Sequence, residues 1–425
     1  MKKILLTMIL VVLSANATTI TELFDSLKKQ PTTKLDNLNA TFALKAQNKI
    51  DAKYYPTIEL FGGYTHYNSQ TALKPLDPIT TGQLTKSNDP IPFSQTISNI
   101  GIKFSMPLFS KELGSLSNKA KFLVKSARLK KQINFYQNEA TILASNSALE
   151  YLDNLLIALN GTKHSLLTTR KEIEISVKSG RMPGIALDKI DEKLNQMEIA
   201  INNTQIQQLN LISKIEAITG ISLTQHISME QIKDIDTSNM IVLKPLQNTI
   251  QANLSDLKAS KEKRYYPKVA LNVVYNKNYA QDNVQDDRNI QEGYGYYQLG
   301  VKLPLYDQSQ STDIELKKIS LLKTKAKLEK TKLELISQTK SLQQELQLLY
   351  KSKKLNKRNI QREEDLLKYA KVAFKQGRIT QENYLKYEDE LLRAKSNYFK
   401  VQSKIWQVIA KLSVIYGNDL KGVVK

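Results

Sequence analysis

A run of 70 residues, Asp307 to Gln376, contains neither glycine nor proline, the residues that most readily interrupt a helix interior. Within it Ile314, Leu321, Leu328, Leu335, Leu342 and Leu349 recur every seven residues. A strict heptad keeps one apolar stripe facing a partner and imposes a left-handed supercoil. The stripe resumes at Ile360, Leu367 and Phe374 after a step of eleven, a stutter that locally unwinds the supercoil. At about 1.5 Å per residue such a helix is on the order of 100 Å long. No compact soluble domain needs a rod of that length, so this one spans a distance.

The rod is half of a duplication. Pro107 and Pro304, Gly180-Arg181 and Gly377-Arg378, and Ile218-Thr-Gly220 and Ile415-Tyr-Gly417 each stand 197 residues apart. Self-similarity at a fixed offset marks a repeated supersecondary unit. After each Gly-Arg pair comes an apolar stripe with steps of three and four. It runs from Leu187 through Ile190, Leu194 and Met197 to Ile218, and from Tyr384 through Tyr387, Leu391 and Ala394 to Ile415. Lys111 to Ser179, the counterpart of the rod, lacks proline and is interrupted only by Gly114 and Gly161. Each repeat therefore reads as a long helix, a tight glycine turn and a second helix running back.

Ahead of each long helix the period changes to two. Tyr54-Tyr55-Pro56 and Tyr265-Tyr266-Pro267 end a short helix, because the residue before proline is pushed out of the α region. Ile58, Leu60, Tyr64 and His66 then alternate with polar residues, as do Val269, Leu271, Val273 and Tyr275. The returning runs are Ile100, Ile102, Phe104 and Met106, and Tyr297, Leu299, Val301 and Leu303. One apolar and one polar face over about ten residues suits a membrane strand with lipid outside and water inside. A half-buried strand of a soluble sheet has the same period. Tyrosines at the strand ends favour the membrane reading, since they sit where an interfacial girdle belongs. The connecting loops, about Asn68 to Thr96 and Asn276 to Gly293, are expected on the outer side.

Met1-Lys-Lys, the apolar stretch Ile4 to Leu13 and Ala15-Asn-Ala17 match the three parts of a secretory signal peptide. After Ala17 no apolar run approaches the roughly 20 residues of a spanning helix. Four strands cannot close a barrel, for which about eight is the smallest number, and lipid tolerates no open sheet edge. Three copies would supply twelve strands and, with them, a tube of twelve helical elements. The expected fold is an α+β membrane protein, a trimeric twelve-stranded β-barrel with four strands per chain, continued by a long α-helical coiled-coil barrel and internally duplicated. Its parts are a signal peptide over 1–17, a first repeat over 18–221, a connector over 222–244 and a second repeat over 245–425. The hairpins fall at about 57–107 and 268–304, and the second long helix at 307–376. Ile58, Leu60, Ile100, Ile102, Phe104, Val269, Leu271, Val273, Leu299, Val301 and Leu303 are the expected lipid-facing residues.

The paired Tyr-Tyr-Pro strand starts, the strand ends Met106-Pro-Leu-Phe109 and Leu303-Pro-Leu-Tyr306, and the Gly-Arg turns together resemble the TolC-like outer-membrane efflux proteins. The resemblance covers essentially the whole chain after the signal peptide. It implies a homotrimer in outer-membrane lipid with its helices crossing the periplasm. It also implies a passive export duct of a tripartite efflux pump or type I secretion system, docked to a periplasmic adaptor (a membrane fusion protein) and an inner-membrane transporter. The tips Gly180, Arg181, Met182, Gly377, Arg378 and Ile379 are then the adaptor-binding ends. Ala186, Lys189, Glu382, Asn383 and Lys386 border the periplasmic aperture. Relatives often carry aspartates six and nine residues after the second tip glycine, where this sequence has Asn383 and Lys386. Many also carry a lipidated N-terminal cysteine, and this sequence has no cysteine.

Nothing points to an enzyme. His66, His164 and His226 are isolated, with no metal-ligand spacing, and no cofactor is expected. The formal net charge of +21 raises the question of nucleic acid. Only nine of the 62 basic residues are arginine, the side chain suited to bidentate phosphate and base contacts, so no nucleic-acid partner is expected. The alternative function is a soluble periplasmic coiled-coil scaffold or adaptor, which needs no lipid-facing strand.

Overall fold

The computed structural model describes residues 18–87, 91–281 and 289–425; the signal peptide expected at 1–17 lies outside the described residues. Helices α1 (Ile20–Ser26) and α2 (Pro31–Asp51) precede strand β1 (Thr57–Ala72), a short helix α3 (Pro78–Ser87) and strand β2 (Phe93–Phe109). Helices α4 (Lys111–Lys178), α5 (Ile185–Thr219) and α6 (Lys244–Tyr265) follow, then strands β3 (Lys268–Gln281) and β4 (Asn289–Lys302), and finally helices α7 (Gln308–Lys375) and α8 (Gln381–Tyr416). Helices α4 and α7 hold 68 residues each and are offset by 197 at both ends, from 111 to 308 and from 178 to 375. Two compact units form. One comprises the chain up to Asn39 with Arg128–Pro245 and Leu328–Lys425, the other Ala40–Ala127 with Leu246–Lys327.

The second unit holds one antiparallel sheet in the order β1-β2-β3-β4. Its strands have 16, 17, 14 and 14 residues, longer than the ten or so read from the alternation. Backbone pairing takes no account of side-chain polarity, and β1 stays extended through Asn68, Ser69 and Gln70, where apolar alternation has ceased, across a register shift between the His66–Thr96 and Thr71–Ser94 pairs. The expected loop 68–96 therefore shrinks to 73–92 and contains α3, which the sequence reading missed. Of the loop expected at 276–293, β3 takes 276–281 and β4 takes 289–293; residues 282–288 lie outside the described residues. Below the sheet, polar contacts join the helix segments of this unit. Asp256 of α6 accepts from Lys119 of α4 at 2.8 Å and Lys317 of α7 at 3.3 Å, and Ser117 donates to Asp51 of α2.

In the first unit α4 packs between α5 and α8, and α8 also packs on α7. Arg170 and Lys163 of α4 pair with Asp191 and Glu198 of α5, and Ser147 of α4 meets Ser403 of α8. Leu342 of α7 clusters with Val408, Leu412 and Ile415 of α8. The seams run where the spacing placed them: Ile190, Ile201 and Ile215 of α5 and Leu391, Ala394, Ile405, Leu412 and Ile415 of α8 are buried. On α7, Leu321 and Leu342 are buried; Phe374, the last seam residue, is partly exposed and stacks on Tyr384 with ring centroids 5.4 Å apart. A second core joins the chain ends to the helices. Phe24 of α1, Leu143 of α4, Trp406 and Ile409 of α8, Met229 of the connector and Leu420 and Val424 are buried together. The connector, polar in sequence, thus supplies Leu223 and Met229 to a core, and Glu230 pairs its backbone with Lys425 in both directions.

Candidate channel sheet and helical tips

Residues directly opposite in an antiparallel ladder lie on the same face. Ile58 pairs with Phe104, which pairs with Val273, which pairs with Tyr297. Leu60 leads likewise to Ile102, Tyr275 and Gly295. Leu271 and Val269 continue the face to Leu299 and Val301, and Ile100 joins it through Gly62. All the strand residues picked out by alternation therefore share one face across four strands; Leu303 lies just beyond β4. In the single chain this apolar face is bare, with Ile58 73%, Leu60 72%, Leu299 63% and Val301 65% exposed. Such a patch on a soluble surface marks an interaction with another apolar phase. The opposite face is polar, with a row through Thr57, Ser105, Asn272 and Gln298 in which Ser105 donates to Asn272 at 2.7 Å. No helix among the described residues is long and apolar enough to cross a membrane.

Both tips close in the same way. Gly180 and Gly377 have φ of 71° and 68°, a left-handed conformation that glycine adopts without steric cost. The amide of Arg181 donates to the Ser176 carbonyl and that of Gly180 to Val177. At the second tip Arg378 donates to Ala373 and Gly377 to Phe374. This double bond satisfies the carbonyls that a helix end leaves open. Arg181, Met182 and Arg378 are exposed and Ile379 is half-buried. The tips differ beyond the turn. Thr380 caps α8 by accepting from the Asn383 amide, whereas Gly184 gives α5 no side-chain cap.

Of the expected aperture residues, Glu382 and Lys386 come together as an ion pair one turn apart at 3.3 Å. They line a cavity of about 420 Å³ with Asp389, Arg393, Lys193 and Gln196. Asn383 and Lys189 are exposed, Ala186 is half-buried, and none of the three lines that cavity. Asp389 is the residue that the spacing argument missed. It accepts from Ser165 of α4 at 3.1 Å, and burial raises its carboxyl above the usual range against the opposing Ser165 hydrogen bond. Its signal was present: it lies seven residues after Glu382, on the same face of α8.

Against this geometry, no protein-family model matches the chain, and no curated protein matches it. Solved structures do. CusC superposes with a TM-score of 0.72 at 12% identity, over 94% of this chain and 92% of that one. The outer membrane protein VceC of Vibrio cholerae gives 0.71 at 12%, over 94% and 96%. The Campylobacter jejuni CmeC outer membrane channel gives 0.71 at 11%, over 95% and 85%. The chain has the fold of the TolC-like outer-membrane channels. At these identities the likeness lies in backbone architecture, and the side chains at the helical tips are this chain's own.

Proposed function

We propose that the chain is one subunit of a homotrimeric outer-membrane channel. In this reading it serves as the passive exit duct of a tripartite efflux pump or type I secretion system, with its helical part in the periplasm. The observation that carries it is the sheet. The apolar residues picked out by alternation lie on one bare face, and β1 and β4 are the sheet's two open edges. Since β1 and β4 run antiparallel, β4 of one copy can pair with β1 of the next, and three copies close a twelve-stranded barrel with every edge satisfied. The apolar residues from Ile58 to Val301 then meet lipid, and the row Thr57–Ser105–Asn272–Gln298 faces water. The tips at Gly180 and Gly377 are the docking ends for a periplasmic adaptor, which links the duct to an inner-membrane transporter. A soluble scaffold leaves the bare apolar face unexplained.

The test is mass and conductance together. Detergent-extracted protein should have the mass of three chains, and on reconstitution should open aqueous pores in a planar bilayer. A monodisperse monomer with full secondary structure that stays out of the membrane fraction would refute the proposal.

A further inference from the structure

The connection between β1 and β2 does not stand clear of the sheet. Pairing runs to His66 and Thr96, slips, and resumes with Thr71 on Ser94 and Ala72 on Phe93. Leu73 is then fully buried. Its amide donates to the Pro92 carbonyl at 2.9 Å, and its own carbonyl accepts from the Asn278 side chain of β3. Lys74 pairs with Glu292 of β4 at 2.9 Å, with both side chains more than half buried. Asn278 and Glu292 are direct partners on the polar face.

Burial along β3 shows the same thing. Val274, Asn276 and Asn278, on the polar face, are buried, while on the other face Val273, Tyr275 and Tyr279 are exposed and Lys277 is half-buried. Something covers the polar side at this end, and Leu73 and Lys74 are seated there. Beyond them α3 starts on Asp77, whose carboxylate accepts from the amides of Ile79 and Thr80 at 2.9 Å, and it leaves Ile79 74% exposed. The seat is not a fully satisfied core. Asn276 donates to Asn278 at 2.9 Å, but its own carbonyl oxygen is buried without a partner. A buried acceptor of this kind is costly, and water entering on opening would satisfy it.

We infer that Leu73 and Lys74 form a strap folded onto the polar face, a constriction at the loop end of the duct. This rests on the reading of the sheet as one third of a barrel with its polar face inward. The strap, not the tip, then limits what passes at that end. The half-buried ion pair Lys74–Glu292 and the amide bond from Asn278 hold it, and high salt weakens the first of these.

The chain has no cysteine, so paired cysteines report on the strap without background. The variant Lys74→Cys with Glu292→Cys is treated with a short, reducible bis-methanethiosulfonate. Mass spectrometry scores the link and planar-bilayer recording scores the pore. The link should form within one chain, conductance should fall when it forms and recover with reductant, and Glu292→Gln alone should raise conductance above wild type. Failure to cross-link would show that the strap is not seated and overturn the inference. A formed link with equal conductance in locked, reduced and Glu292→Gln forms would overturn the constriction alone. A formed link without pores in any form, wild type included, would overturn the duct reading and the constriction with it.

Discussion

Replacing Glu139 by glutamine should stabilise this protein, and more so as pH rises. Glu139 lies in the core beside the C-terminal segment, 1% exposed. It accepts from the Leu420 amide at 3.3 Å. Burial first, and the Asp419 carboxylate second, push its carboxyl from 4.5 up to about 8. Between those values the native chain holds a proton that the unfolded chain has released, so stability falls with rising pH by about 1.36 kcal/mol per unit. At pH 7 the accumulated loss is about 3 kcal/mol. Glutamine mimics the protonated carboxyl: its amide can donate to Asp419 and its carbonyl can still accept from Leu420. Thermal melting of the detergent-solubilised protein followed by circular dichroism, from pH 5 to pH 8, reads the effect. Wild type should melt progressively lower across that range relative to Glu139→Gln, and the two should converge near pH 5. Parallel melting profiles, or a variant less stable than wild type at pH 7, would show that Glu139 is charged and favourably paired.

Three further outcomes are expected. Gly377→Ala has open space for a Cβ, so only its φ of 68° opposes the change, at about 1–2 kcal/mol; Gly417→Ala, whose Cβ would meet Ile241 at 2.8 Å, should lower the melting temperature further. Leu342→Ala, in the α7–α8 seam and 5% exposed, should cost about 2–5 kcal/mol in a denaturant titration, while Leu348→Ala, 62% exposed, should leave the stability of an isolated chain nearly unchanged. If the start of α8 borders the mouth as proposed from the resemblance, the wild-type pore should resist block by trivalent cations from the tip side, because Asn383 and Lys386 supply no acidic ring to attract them; the pair Asn383→Asp with Lys386→Asp should create block, and equal block of both forms would move the mouth to other residues.

The features legible in the sequence are those written in period. The run without glycine or proline gave α7 to within a residue at each end, and the glycines of the tips gave the turns because a left-handed φ leaves few other choices. Alternation gave the apolar face, but not the strand lengths, since extended backbone runs on past the point where alternation stops. What escaped depends on contacts between residues far apart in the chain. Glu139 reads as an ordinary surface charge on a helix until Leu420, 281 residues later, lies against it. Asp389 reads as solvated until Ser165 faces it. The strap was invisible because Leu73 and Lys74 sit in a polar stretch whose partners, Asn278 and Glu292, belong to the other repeat.

The open edges of the sheet have a consequence for how the protein is made. Strand β4 keeps 14 continuous pairs with β3 and has neither a proline nor a bulge, two of the devices that discourage stray strand pairing. In the trimer proposed above, until neighbouring copies arrive that edge is open to any extended chain, and the bare apolar face beside it favours the encounter. The vulnerable interval is therefore the journey between synthesis and assembly. Yield in overexpression should fall with the rate at which chains are made, even for variants whose assembled form is more stable.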